Sequence, residues 1–214
     1  MQAGHRYQGY TERSSPVGPS DSVAISRGIP GASGGTYLWI GGCRLLGSTI
    51  EIEAVVHPLG NREKGAIHFN DTAGSMARDS VTNASSVVRM ITGKNLSDYD
   101  VHVNVVGGGN IDGPSAGAAI TCAIISALTG KPLRQDIAVT GEISLSGRIK
   151  PVGGIAEKAF GAHQGGMKAI LIPKQNALDM GSEYMHMKVI PVDTIQDILE
   201  HMLVRKKQKM KGSK

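Results

Sequence analysis

The spacing of apolar positions marks out short strands and helices from about residue 36 onward. Residues 37–40 and 48–56 read as strands, and in the second Ile50, Ile52 and Ala54 alternate with Thr49, Glu51 and Glu53, so one of its faces is polar. A charged turn at 58–65 leads to a third strand at 66–69, and connections this short imply an antiparallel start. From 75 to 90 the period becomes helical, with Met76, Ser80, Ala84, Val87 and Val88 on a common face and Gly93 as C-cap. A buried strand at 101–106, a glycine-rich loop and an uncharged helix at 114–128 follow. Residues 136–149 read as a strand, a turn and a hairpin. A helix at 155–164 stands between Gly153-Gly154 and Gly165-Gly166. The pattern then predicts a buried strand at 169–173, a short helix at 177–183, a last strand at 189–192 and a final helix to about 204, capped by Thr194. Antiparallel strands first and β–α alternation later predict an α/β domain with an α+β-like mixed sheet.

The two ends differ from this core. Residues 1–35 are rich in Gly, Ser and Pro without a sustained period, and read as a linker or arm cut from something larger. The folded domain is expected at 36–204 and a basic tail at 205–214. The tail changes the meaning of the net charge. The whole chain carries +5, but six of its basic residues lie in the tail with no acid, which leaves −1 for the rest. The domain therefore offers no basic face for nucleic acid. Aromatics are only 4% of the 214 residues, so the core has to be built from Val, Ile, Leu, Ala and Met. Cys43 and Cys122 have no metal-ligand spacing; Cys122 falls in the uncharged helix as a small buried hydrophobe, and a reducing compartment is expected. There is no signal peptide and no apolar run of about 18 residues or more, which predicts a soluble, cytoplasmic protein without a membrane partner.

The stretch Gly107-Gly108-Gly109-Asn110-Ile111-Asp112-Gly113-Pro114-Ser115-Ala116-Gly117 carries the first candidate chemistry. Pro114 suits the first helical position, where its missing N–H would have no intrahelical partner. Asp112 can accept from the N–H groups of the first turn. Ser115 then sits where backbone donors and the positive helix end stabilise developing negative charge. The same residues also describe an ordinary helix start, and a serine needs a base to act as a nucleophile. The histidines at 57, 68, 102, 163 and 186 read as isolated, while His5 and His201 fall in the arm and the last helix. Lys158 stands apart, mid-helix among the small residues Ala156, Ala159, Gly161 and Ala162, with Val152, Ile155 and Phe160 as apolar walls. Desolvation there lowers a lysine pKa and turns the amine into a general base. A surface lysine paired with an acid is the alternative.

Four segments together resemble the Lon proteases. Asp112-Gly113-Pro114-Ser115-Ala116-Gly117 is similar to their nucleophile motif, and Thr140-Gly141-Glu142-Ile143-Ser144-Leu145-Ser146-Gly147 to their TGE-x-x-L-x-G hairpin. Pro151-Val152-Gly153-Gly154-Ile155-Ala156-Glu157-Lys158 is similar to the segment carrying the catalytic lysine, and Ile172-Pro173-Lys174-Gln175-Asn176 to the I-P-x-x-N that follows. The resemblance implies a ribosomal protein S5 domain 2-like fold and a serine endopeptidase of the ATP-dependent type. Ser115 would be its nucleophile and Lys158 its base. Thr140 would orient the amine, and Asp112 would hold the lysine charged in a resting state. Backbone N–H groups from Gly113 to Ser115, around Pro114, would take the oxyanion. The resemblance also implies a homo-oligomeric, hexameric ring, unfolded or damaged proteins and peptides as substrates, a role in protein quality control, and an AAA+ ATPase domain as partner. No G-x-x-x-x-G-K-[ST] phosphate loop occurs in the sequence. ATP and Mg²⁺ are therefore expected in a separate ATPase domain, with no cofactor or metal in this chain. Ile111 before Asp112, the Gly107–Gly109 loop and the retention of Trp39 alone from the usual entry segment point to a divergent, B-type branch. Two other readings stay open at this stage: a phosphate-binding enzyme of related fold, and a ring-forming module without catalysis.

Overall fold

The computed structural model describes residues 33–43, 46–59, 64–69, 75–106, 113–180 and 187–204. Most of the expected arm, the basic tail, the glycine-rich loop with Ile111 and Asp112, and two of the histidines, His5 and His186, lie outside the described residues.

Strand β1 (Ser33–Cys43) pairs antiparallel with β2 (Leu46–Pro58), and β2 pairs antiparallel with β4 (Tyr99–Val106). On the other side of β1, strands β5 (Ile137–Val139), β8 (Ala169–Pro173) and β9 (Lys188–Val192) follow in parallel. With β3 (Ile67–Phe69) at the outer edge, the described residues form a seven-stranded mixed sheet in the order β3-β4-β2-β1-β5-β8-β9. The expected mixed α/β architecture is present. The third strand corrects one detail: it does not pair with β2 but lies parallel to β4, which inserts between them. The 18-residue helix α1 (Ser75–Thr92) supplies the crossover that a parallel pair requires.

Alternation along the central strands feeds two separate cores. Ile137, Val139, Ala169 and Leu171 face the larger one, with helices α1, α2 (Gly117–Thr129) and α4 (Ile195–Met202). Ala138, Ile170 and Ile172 face the smaller one, beneath α3 (Ile155–Gln164). Every residue of α2 from Gly117 to Leu128 is buried, as expected of a helix that is apolar all round. Cys122 is one of them, and burial pushes its thiol up to about 12. No helix among the described residues is long and apolar enough to cross a membrane.

Helix ends follow local chemistry. Gly93 and Gly130 close α1 and α2 with positive φ. Thr194 caps α4 in a reciprocal box with Asp197, whose carboxylate accepts from the Thr194 N–H at 2.9 Å. Two expected helices are altered. The segment expected as one helix from 114 opens as a 3₁₀ turn, Pro114–Ala116, before α2 begins. The short helix expected at 177–183 is met in its first residues by a 3₁₀ stretch over Lys174–Asp179, starting directly after Pro173, while 181–183 lie outside the described residues. A six-residue piece is too short to repay α-helix nucleation.

Candidate active site

The residues around Ser115 are held by backbone bonds from the far side of the chain. Its carbonyl accepts from the Gly141 N–H at 3.0 Å and from Thr140 Oγ1 at 3.5 Å, while the Gly141 carbonyl accepts from the Ala118 N–H at 3.1 Å. Thr140 is fully buried, and its own N–H donates to the Leu171 carbonyl at 3.1 Å. The turn that carries Ser115 is thus tied to the end of β5 and, through Leu171, to β8. Gly117 allows that approach: a Cβ there would stand 2.8 Å from Ile143 Cγ2 and 3.1 Å from the Ile143 nitrogen, closer than packing permits. Hairpin strands β6 (Glu142–Ile143) and β7 (Ile149–Lys150) form their own small sheet beside it.

Lys158 comes from the opposite face. Ile155, Lys158, Ala159 and Ala162 are the buried residues of α3 at i, i+3, i+4 and i+7, so the lysine occupies a core position of an amphipathic helix. It is 6% exposed. Burial lowers its pKa from the ordinary lysine value, and the Glu157 carboxylate opposes this more weakly. Nζ donates to the Gly153 carbonyl at 2.5 Å. Gly154 takes φ 66° at the helix entry, a left-handed conformation suited to glycine, and its carbonyl accepts from the Lys158 N–H. Of the expected apolar walls, Val152 and Ile155 belong to the small core, but Phe160 is 38% exposed on the outward side of the helix and is no wall.

A further residue fixes this lysine's surroundings. Buried Asn176 accepts from the Val152 N–H at 2.9 Å and donates to the Val152 carbonyl at 3.0 Å. It clamps the peptide just before Gly153, whose carbonyl holds the amine. The sequence offers Asn176 as part of a motif but assigns it no task, because its partner lies 24 residues away. Among the expected site residues the structure joins Ser115 to Thr140, with Gly113 and Pro114 opening the 3₁₀ turn ahead of the serine. Asp112 lies outside the described residues. The histidines also need correcting: His57, His68 and His102 are not isolated but meet on one sheet edge.

Ser115 thus stands in the turn ahead of a buried helix, and the desolvated Lys158 on a helix packed against the opposite face of the sheet. Residues 30–205 match the family described as the Lon protease (S16) C-terminal proteolytic domain. The chain is 36% identical over 167 residues to "Archaeal Lon protease" of Pyrococcus abyssi, covering 76% of this chain and 17% of that protein. It is likewise 36% identical over 167 residues to "Archaeal Lon protease" of Archaeoglobus fulgidus, covering 76% and 27%. To "Lon protease 2" of Bacillus subtilis it is 38% identical over 172 residues, covering 74% and 31%. The chain belongs to the Lon proteolytic-domain family. It spans less than a third of the length of these relatives.

Proposed function

We propose that this domain hydrolyses peptide bonds with Ser115 as nucleophile and Lys158 as general base. The observation that carries the reading is the burial of Lys158 at an inward position of α3, which favours the neutral amine that a base must be. In the proposed reaction Nζ takes the Ser115 hydroxyl proton as Oγ attacks the scissile carbonyl carbon. The oxyanion is met by N–H groups of the turn around Pro114, which itself has none to give. Collapse of the tetrahedral intermediate expels the amine, which leaves with the proton from Lys158, and water then hydrolyses the acyl-enzyme by the same route. Thr140 positions the serine through its carbonyl, and Asp112 is proposed to hold the lysine charged in a resting state.

Membership of the family supports the wider proposal. The domain would adopt the ribosomal protein S5 domain 2-like fold, assemble as a six-fold ring, and act on unfolded or damaged proteins and peptides in the cytoplasm as part of protein quality control. It would work with an AAA+ ATPase domain, where ATP and Mg²⁺ would act. Covalent labelling by a peptide boronate or fluorophosphonate and peptide turnover test the dyad. Ser115→Ala and Lys158→Ala are each expected to lower turnover by at least about 10³-fold. Undiminished turnover in Lys158→Ala would falsify the assignment of the base.

A further inference from the structure

The edge of the sheet carries a cluster that peptide hydrolysis does not use. Cross-strand register sets His57 on β2 opposite Asp100 on β4, and His68 on β3 opposite His102 on β4. Asp100 and His102 are two residues apart on one strand and so share a face. His68 Nε2 lies 2.8 Å from Asp100 Oδ1, and His102 Nε2 lies 3.0 Å from Asp100 Oδ2. The imidazoles of His68 and His102 stack with centroids 4.6 Å apart and planes at 16°. One donor atom from each of the three residues falls within 4.8 Å of the others.

Two imidazole nitrogens and a carboxylate converging on one point are a ligand set for a divalent transition metal, and imidazole disfavours Mg²⁺ and Ca²⁺. Tetrahedral zinc, with bonds of about 2.0–2.2 Å, holds its donors about 3.3–3.6 Å apart. The two nitrogen–oxygen separations here, 2.8 Å to Asp100 Oδ1 and 3.0 Å to Asp100 Oδ2, are hydrogen bonds to different oxygens, so an ion would enter by replacing these contacts with small shifts of the exposed side chains. The side chains of His68 and His102 are about half exposed, at 53% and 50%, so an ion can enter and water can complete its coordination. Each Nε2 presents its lone pair when the ring proton sits on Nδ1. We propose that His68, Asp100 and His102 form a zinc-type metal site that clamps the edge strand β3 to β4. The three-residue β3 has a neighbour on one side alone in the sheet order, so such a clamp would secure a short edge strand.

Titration of the metal-free protein with Zn²⁺, monitored by calorimetry, tests the site. One ion per chain is expected to bind with a micromolar Kd, while Mg²⁺ gives no heat of binding. The double variant His68→Ala/His102→Ala is expected to raise the zinc Kd at least about tenfold, and Asp100→Asn to weaken it as well. Co²⁺ substitution gives a second readout, visible bands of a four-coordinate site in the wild type that vanish in the double variant. Absence of one-to-one saturation by millimolar Zn²⁺, or unchanged affinity in a folded double variant, overturns the proposal.

Discussion

Helices α2 and α3 lie on opposite faces of one sheet and are built on opposite terms. Helix α2 is buried on every side and carries no charge from Gly117 to Thr129. Helix α3 is buried along one stripe, with Glu157, Phe160, His163 and Gln164 turned to solvent, and places an ammonium within that stripe. The first helix is fixed by its burial and follows directly on the turn that carries Ser115. The second buries an amine that a helix normally leaves in water. On the proposed function, stability and chemistry are divided between the two faces, and substitutions should separate them.

Lys158→Met probes the chemical side most strongly. An apolar chain of similar length fills the slot without a charge to desolvate, so thermal denaturation at neutral pH should show stability equal to or above wild type. Peptide turnover should fall by at least about 10³-fold. The same site fixes the pH dependence. A base acts in its neutral form, so turnover rises with pH through a midpoint below the ordinary lysine value. Stability should rise with pH as well, between the folded and unfolded values of Lys158, because over that range the unfolded chain binds more protons. Lys158→Met removes both trends, and a turnover profile flat across alkaline pH in wild type would sink the dyad.

Ile124→Ala strikes the structural side. Ile124 is 0% exposed in α2, and its truncation should cost about 2–5 kcal/mol in chemical denaturation without moving the pH profile. Asn176→Ala crosses the division. Losing both bonds to Val152 should cost about 1–3 kcal/mol. Freeing the Gly153 carbonyl should also lower turnover and shift its pH midpoint. Asn176→Asp keeps the acceptor for the Val152 N–H and should recover part of the loss; equal turnover in all three proteins would show that the clamp does not position the lysine. Phe160→Ala, on the outer side of α3, should change stability by no more than about 0.5 kcal/mol.

Local signals were legible in the sequence wherever chemistry is written within a few residues. Paired glycines bracketed α3, and the strand at Ala169–Pro173 and the caps Gly93 and Thr194 stand where pattern places them. The residues around Lys158 left it open between a desolvated base and a surface lysine paired with an acid, and the fold places it inward beside Ile155, Ala159 and Ala162. Period-two alternation tells which face a residue takes but not which strand will be its neighbour, so the pairing of β3 and the meeting of three histidines stayed hidden. Phe160 was misjudged for a related reason: proximity along a helix is not proximity around it. The bonds from Thr140 and Gly141 to the Ser115 carbonyl depend on tertiary contact, and no local pattern announces them.

The paired ends of β5 and β8 have a mechanical consequence. Ser115 is tied to Thr140 and Gly141, just past β5, while the Lys158 amine answers to Gly153 and thence to Asn176, just past β8. On the proposed function, the spacing of Ser115 and Lys158 is therefore gauged by a ladder of backbone bonds with neighbouring strands about 4.8 Å apart. Loops elsewhere can lengthen or drift without spoiling the alignment, but a one-residue slip between Val139 and Leu171 would turn both tethers to the wrong sides at once.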